Sequence, residues 1–513
     1  MKIVKNILIP ISRELDIKKA VSKKLRIKNF GEFEVLRRSL DARKKNDLKF
    51  NYTVLADLPA KYLSHHDVLE HKKSEAFIQL HNKLSNENPF IIGAGPAGLF
   101  AALSLVEKGF KPYIFERGEK VEERTRKVEH FWTTGKLDEN SNVQFGEGGA
   151  GTFSDGKLTS RNRDYYTAKV FDNLIKFGAD ENIKIEALPH LGTDGLKKIV
   201  VNIREFLKSK GCKFFFDHKL VNIEIENEKV KEVTINGQIY SPEILILAIG
   251  NSTRDTFEML SEKVTMQNKP FAVGFRIEHP QDFINKAFYG EQTDINITGP
   301  ASYRLTAKYE SKSIYSFCMC PGGFTVAAAS EKEHQILNGM SLLDRSNEFA
   351  NSGIVVNVNE ADYGTKLLAG LEFQRKIESL SFDKANPYFA PSQTAKDFIL
   401  NKESVGSINT SYLPGIVRKD LNSLLPTKLT DSIKSALSRF DKRATGFIST
   451  GVLLAPETRT SSPVKFPRDR ETMNSDGLEN LYIIGEGSGF AGGIISSAAD
   501  GYKLGCTFST GTK

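Results

Sequence analysis

The chain has 513 residues, enough for two to four domains at roughly 100–200 residues each. Hydrophobic residues make up 40% and charged residues 26%, which excludes a disordered, collagen-like or disulfide-stapled chain. The formal net charge is +8, and a basic balance invites a nucleic-acid or membrane-surface partner. Residues 1–88 hold 19 Lys and Arg against 11 Asp and Glu, so the whole excess belongs to the N-terminal sixth.

The four cysteines, Cys212, Cys318, Cys320 and Cys506, are too few for a disulfide framework. Met1–Pro10 carries a charge inside a short apolar run and reads as a first strand, not a signal peptide. No apolar run approaches the ~20 residues that span a bilayer. The expectation is a protein of a reduced, bacterial-type cytoplasm without a transmembrane segment.

In chain order, Lys5–Pro10 predicts a strand and Asp16–Leu25 a helix with Ile17, Ala20, Val21 and Leu25 on one side. Phe33–Ser39 and Leu48–Leu55 alternate as strands do. Together they suggest a small ferredoxin-like α+β unit carrying the basic cluster Arg37, Arg38, Arg43, Lys44 and Lys45. Three readings of that cluster stand: a solvated basic face, docking onto the rest of the chain, and nucleic-acid binding. The last is disfavoured, because Phe33, Phe50 and Tyr52 are the only nearby aromatics and no glycine-aromatic signature of an RNA-reading sheet is present. Residues 60–86 are polar, suggest a linker helix, and hold four of the nine histidines. His65, His66, His71 and His81 have no Cys companions, so no metal site is assigned.

The character then changes. Pro89–Ile92 is a short buried strand, followed by Gly93-Ala94-Gly95-Pro96-Ala97-Gly98 and a small-residue apolar helix over Leu99–Lys108. Pro112–Phe115 is the next strand, and Glu116 follows it. This is a βαβ unit with GxGxxG at its first turn. Gly93 permits the tight turn, Gly95 lets backbone approach a pyrophosphate, and Gly98 lets helix and strand pack closely. The phosphates sit on free N–H groups of the helix N-terminus. Glu116 suits two ribose hydroxyls and repels a 2′-phosphate.

Three later segments separate FAD from NAD. Gly146–Leu158 is a second glycine-dense loop. Lys213–Phe216, Leu220–Glu226 and Val230–Ile235 look like a strand meander, followed by the buried strand Glu243–Gly250. Asn480–Gly487 is a further buried strand, and Gly492-Gly493 precede a small-residue helix over Ser496–Gly505. A flavoprotein brings such a C-terminal segment back to its first Rossmann strand; an NAD domain does not need it.

On these motifs the chain resembles the glutathione-reductase-type flavoprotein superfamily. Ala248-Ile249-Gly250 is similar to its "ATG" strand end, and Gly485-Glu486-Gly487 to its Gly-Asp turn, with Glu in place of Asp. More narrowly, Arg37–Lys45, Val143–Arg161, His190–Leu196, Ser316–Gly323, Glu457–Pro463 and Gly485–Gly501 resemble a bacterial family of largely uncharacterised FAD-dependent dehydrogenases. The resemblance implies bound FAD, with Gly93, Gly95, Pro96, Ala97 and Gly98 at the pyrophosphate and Glu116 and Arg117 near the adenosine ribose. It implies that Gly148, Gly149, Gly151, Thr152 and Lys157 lie along the flavin and that Val221 and Gly250 border the cofactor. Gly485 and Glu486 are implied at the ribityl chain, and Gly492, Gly493 and Ile494 at the pyrimidine end. A helix N-terminus there favours the negative charge of reduced flavin.

For chemistry, Cys318-Met319-Cys320 offers two thiols, although a disulfide across one residue is strained and buried inert cysteines are the alternative. His190, with Asp194 close in sequence, suits a general base; a structural role, with Thr193 and Asp194 capping a helix over Leu196–Lys208, competes. His279 has the same standing. Arg459 suits an anionic substrate, against a salt bridge to Glu457. A single dinucleotide fingerprint favours a dehydrogenase whose reductant is the substrate or a transient NAD(P)H. The expected fold class is α/β: a Rossmann-type FAD-binding domain with an inserted α+β substrate domain and an N-terminal ferredoxin-like α+β domain. The expected boundaries are 1–86, 87–264, 265–445 and 446–513. The expected function is FAD-dependent oxidoreduction of a small molecule. The rivals are a flavin-binding sensor without turnover and an RNA-associated flavoprotein.

Overall fold

Five short strands lie in one parallel sheet, in the order Leu481–Ile483, Leu245–Leu247, Phe90–Ile92, Tyr113–Phe115, Lys213–Phe215. The computed structural model describes residues 1–12, 16–71, 80, 82–85, 88–160, 164–291 and 293–510. The three central strands and Leu481–Ile483 are apolar because both faces are covered. Helices Pro96–Glu107, Gly192–Ser209 and Ile494–Cys506 pack on one face. A three-stranded antiparallel sheet, Leu220–Glu226, Lys229–Ile235 and Gln238–Tyr240, covers the other. The expected meander is corrected here: Lys213–Phe215 is the edge of the parallel sheet, and the meander's last strand is Gln238–Tyr240.

A second sheet of seven strands is built mostly from the middle of the chain. Its order is Thr306–Tyr309, Lys312–Cys320, Phe349–Val358, Phe271–Pro280, Val452–Glu457, Ala390–Thr394, Ile416–Arg418. Helix Thr427–Arg443 buries Leu429, Ile433, Leu437 and Phe440 against it. Val452–Glu457 pairs with both Phe271–Pro280 and Ala390–Thr394. That strand belongs to this sheet by its hydrogen bonds, although the boundary at 445/446 put it in the closing segment.

The N-terminal residues form a four-stranded antiparallel sheet, ordered Phe33–Asp41, Lys49–Ala56, Lys2–Pro10, Val68–Glu70. Helix Ile17–Leu25 packs Val21 and Leu25 on it, and the Asp16 carboxylate accepts from Lys19 N at 2.8 Å. The order is that of a ferredoxin-like unit, with a 3-10 turn, Ala60–Ser64, where a second helix would stand. Among the described residues of 60–86, this turn and the short strands Val68–Glu70 and Asn82–Leu84 stand where a linker helix is expected; residues 72–79, 81 and 86 of that expected helix, His81 among them, lie outside the described residues. His65, His66 and Asp67 bring ligand atoms within 4.8 Å of one another, but Asp67 is committed to Lys24 at 2.6 Å and to Asn6.

The basic cluster is split. Arg37, Arg43, Lys44 and Lys45 are exposed, and Arg43 and Lys44 pair locally with Asp41 and Asp47. Arg38 corrects the picture of a wholly solvated face: its guanidinium bonds Glu186 of the dinucleotide domain, and its backbone pairs with Ile185 and Ala187. Leu48 is buried in the core of the seven-stranded domain.

Gly98 shows how tightly the first βαβ unit closes. A Cβ there would lie 1.9 Å from the Gly93 carbonyl oxygen and 3.3 Å from Ile91 Cγ2. Gly98→Ala is expected to destabilise the protein by about 3 kcal/mol, read as a lowered urea midpoint. Gly195→Ala is the control: its Cβ meets only Leu191, at 3.6 Å, and inside a helix the change is expected to be neutral or stabilising by up to about 1 kcal/mol.

Candidate functional site

A cleft of about 1680 Å³, open mouth included, runs past the C-terminal ends of the parallel strands and under the seven-stranded sheet, where open α/β sheets bind ligands. Two helices begin on it. Pro96–Glu107 starts from Gly95 with Pro96 in its first turn, and Ile494–Cys506 starts from Gly493. They lie against each other because Gly501 and Gly505 permit it: a Cβ at Gly501 would lie 2.0 Å from the Ala97 carbonyl oxygen, and one at Gly505 2.5 Å from Ser104 Cβ. Two sets of free helical N–H groups and two positive dipole ends therefore face one space.

The glycines divide by what they touch. Cβ atoms at Gly250, Gly492 and Gly493 would meet no protein atom within 4 Å, and one at Gly95 only Gly149, at 3.7 Å; their open side is the cleft wall. Gly93, Gly98, Gly148 and Gly485 serve the protein itself. A Cβ at Gly148 would lie 2.0 Å from Thr152 Oγ1, and one at Gly485 2.6 Å from Ala97 Cβ. Gly98, Gly148, Thr152 and Gly485 consequently do not line the cleft, whereas Pro96, Ala97, Glu116, Arg117, Gly149, Gly151, Lys157, Glu486 and Ile494 do. Val221 is corrected: its side chain is 54% exposed and points away, and its neighbours His218, Lys219 and Leu220 line the cleft instead.

Glu116 is buried at the first turn, accepting from Ala94 N at 2.9 Å and from Gly118 N and Gly146 N at 3.0 Å. It thereby ties the two glycine loops together. Arg124 braces the second loop from behind. It is fully buried, donates to the carbonyls of Asn142, Val143, Gly146 and Glu147, and stacks 4.9 Å from the Phe153 ring. Glu486 accepts from Asn251 Nδ2 at 3.1 Å; burial pushes its carboxyl up to about 7, against the pull of Lys269 and Asn251. Glycine walls free of side chains, two helix N-termini and carboxylates at both turns fit a long, twice-phosphorylated ligand with hydroxyls along its length.

Lys157, Cys318 and Glu457 line one part of the cleft. Lys157 Nζ is 2.9 Å from Asp155 and 3.6 Å from Cys320 Sγ. Asp155 also takes Arg345 at 2.6 Å and the Ser341 hydroxyl at 2.6 Å. Burial works against its charge, but Lys157 and Arg345 outweigh that and hold the carboxyl at about 2. Lys157 is in turn held charged above its usual range: burial opposes it, and the Cys320 and Cys318 sulfurs and Asp155 prevail. Arg276, fully buried, pairs with Glu457 at 2.8 Å and donates to Asn351 at 2.6 Å. A hydrogen bond from the Cys320 thiol, together with Lys157 and Arg276, holds the Cys318 thiol well below its ordinary range despite burial.

Two expected catalytic groups are placed elsewhere. His190 is outside the cleft lining, its Nε2 2.9 Å from the Leu343 carbonyl, while Asp194 accepts from Leu343 N at 2.9 Å. The pair clasps one backbone segment and does not form a base. Helix Gly192–Ser209 begins earlier than expected and has no side-chain cap. His279 is buried, bonded to the Phe447 carbonyl at 2.8 Å, with burial pulling it down to about 4. Arg459 lines the cleft, but its partner is Glu378 at 3.3 Å, with Ser330 at 2.6 Å, and not Glu457. Glu378 also binds Arg254 through both oxygens at 2.7 Å. Asp155, Asn251, Arg276 and Glu457 were missed as site residues. The available signal was a charge inside an apolar run: Arg276 interrupts Phe271–Ile277.

Gly492→Val is expected to leave thermal stability within about 0.5 kcal/mol of the parent while lowering dinucleotide affinity at least tenfold by equilibrium binding. Glu378→Ala leaves the buried Arg254 and Arg459 with only the half-buried Glu331 as a counter-charge, and is expected to cost about 3–5 kcal/mol in denaturant unfolding. In ligand-free protein, the raised Glu486 carboxyl keeps its proton in the fold after the unfolded chain has lost it. Its contribution to stability therefore falls as pH rises from the ordinary carboxyl range to about 7. Glu486→Gln is expected to remove that slope, so that the variant gains on the parent at pH 8 relative to pH 4, as read by unfolding at the two pH values.

Residues 270–460 match the family described as "FAD-dependent protein, C-terminal domain-like", and residues 1–57 match a domain of unknown function (DUF8436). An uncharacterised protein of Clostridium beijerinckii is 42% identical over 522 aligned positions, covering 98% of this chain and 97% of the relative. Among solved structures, CtdE in complex with FAD matches at 10% identity and a TM-score of 0.30, over 83% of each chain. A geranylgeranyl bacteriochlorophyll reductase-like protein from Thermoplasma acidophilum matches at 11% identity and a TM-score of 0.34, over 81% of this chain and 76% of its own. The cofactor of this chain is FAD. Over nearly its whole length, the chain belongs to the same family as the clostridial protein, one whose middle is an FAD-dependent C-terminal-like domain.

Proposed function

We propose that this protein is an FAD-dependent oxidoreductase of the dehydrogenase type, acting on a small molecule. The carrying observation is the convergence of two helix N-termini on a glycine-walled cleft that continues to Lys157, Cys318 and Glu457. When bound, FAD supplies the two-electron hydride chemistry, and the protein supplies position and electrostatics.

In this reading Gly95, Pro96 and Ala97 hold the pyrophosphate at a helix start. Glu116 holds the adenosine ribose, and Glu486 a ribityl hydroxyl. The start of helix Ile494–Cys506, with Lys157, favours negative charge at the reacting end. Phe317, Ile336 and Leu337 give that part of the cleft an apolar wall, which keeps water out and strengthens nearby charges. Arg459 acts as a positioning residue, since Glu378 and Ser330 occupy its guanidinium. The sequence carries one dinucleotide fingerprint, which supports a reductant that is the substrate itself or a nicotinamide that binds only transiently. Four free cysteines suit a reducing compartment such as the cytoplasm.

Purified protein reconstituted with FAD is expected to show the visible bands of bound oxidised flavin. Mixed anaerobically with NADH, NADPH and a metabolite panel, it is expected to bleach with at least one of them. A bound flavin that none of these reduces overturns turnover and leaves a flavin-binding protein. Lys157→Met is expected to slow the bleaching by roughly tenfold to a hundredfold, read by stopped-flow absorbance.

A further inference from the structure

Cys318 and Cys320 are unabsorbed by the reading above, and their surroundings are unusual. Strand Lys312–Cys320 pairs regularly with Phe349–Val358 up to Phe317, then slips before Cys320. Cys318 sits in that bulge with a φ of 43°, a left-handed conformation that a side-chain-bearing residue keeps only when its surroundings impose it. The bend has a consequence for the two sulfurs. In a straight strand, residues two apart are separated by roughly 6.6–7.2 Å, at or beyond the upper end of the 4.4–6.8 Å between Cα atoms that a disulfide spans. Here the Cys320 thiol turns back on Cys318: it donates to the Cys318 carbonyl oxygen at 3.2 Å, and it is the strongest influence lowering the Cys318 thiol.

The two thiols are not equivalent. Cys318 is half-buried and lines the cleft; Cys320 is fully buried behind it. Lys157 stands 3.6 Å from Cys320 Sγ, and buried Arg276 approaches from the other side, close enough that a Cβ on Gly339 would lie 2.4 Å from its Nη1 and 2.9 Å from Cys320 Sγ. Two cations around one thiol pair favour a thiolate, the form that attacks disulfides and gives up electrons. Cys212 and Cys506 are also buried, but neither lines the cleft.

We propose that Cys318 and Cys320 are a second two-electron centre: a dithiol–disulfide pair that exchanges electrons with the flavin in the same cleft, Cys318 being the thiolate that faces it. On oxidation the Cys318 thiolate and the Cys320 thiol form one S–S bond. The electron pair and the Cys320 proton pass to the flavin. Reduction runs the same balance backwards, and an external dithiol or disulfide reaches the pair only through Cys318. The inference rests on FAD occupying the cleft, and deepens the functional reading by adding thiols and disulfides as a class of redox partner.

The test uses holoprotein oxidised with diamide, freed of excess reagent and titrated anaerobically with dithionite. The wild type is expected to take two electrons for the flavin and two more for the disulfide, and Cys318→Ser only the flavin's two. In parallel, differential alkylation and mass spectrometry of the wild type are expected to show Cys318 and Cys320 blocked after diamide and free after reduction, with Cys212 and Cys506 unchanged. This arm needs no variant to fold and no flavin turnover. Both cysteines free in every state, or a disulfide that forms while the titration stops at two electrons, overturns the proposal. Loss of the flavin bands with an intact thiol–disulfide cycle counts instead against the flavin reading.

Discussion

The close contact between helices Pro96–Glu107 and Ile494–Cys506 is the constraint on which the site depends. Both helices offer small residues at the seam, and Gly501 and Gly505 leave no room for a Cβ against Ala97, Ala101 and Ser104. This contact returns the C-terminal segment to the helix that follows the first parallel strand, and Leu481–Ile483 joins the sheet beside Leu245–Leu247, one strand away from Phe90–Ile92. It also points two helix starts at one space. A single helix dipole gives a modest preference for negative charge. Two, backed by the buried Glu116 and the braced second glycine loop, give a shaped channel for a ligand that alternates phosphate and hydroxyl groups.

A seam of buried charge joins that channel to the seven-stranded sheet. Arg254, Glu378 and Arg459 form its middle, Arg276 and Glu457 its wall, and Asp155 with Lys157 and Arg345 its far end. Buried ion pairs add little net stability over apolar packing, but removing one partner is severe. Their effect here is on geometry. The Arg254–Glu378 and Asp155–Arg345 pairs tie segments far apart in the chain, and Lys157 and Arg276 stand as cations beside the thiol pair.

Local patterns made the dinucleotide half legible. Turn chemistry at Gly93–Gly98, the run of small residues after it, and Glu116 at the next strand end all act within one short stretch of chain. Strand and helix boundaries in the N-terminal unit were legible for the same reason, since alternation and the Asp16 cap are local signals. The linker around Ala60–Ser64 was misread because a polar stretch shows no period that separates a turn and short strands from a helix. Val221 was misplaced because adjacent positions on a strand point to opposite faces, and only the observed register puts Leu220 on the cleft and Val221 outside.

By itself the sequence determined a Rossmann-type unit, the need for a dinucleotide, the return of a C-terminal glycine-rich segment, and the confinement of the basic excess to the N-terminal unit. Only the tertiary structure decided that Arg38 docks on Glu186, that Arg459 is held by Glu378 81 residues away, and that Lys157 stands at Cys320 across 163 residues. The physical reason is the range of the interactions. Turn geometry and periodicity act between near neighbours, so they are written in order along the chain. A charge in an apolar run announces that a partner exists, but which partner it meets depends on how two sheets, distant in sequence, are laid against each other.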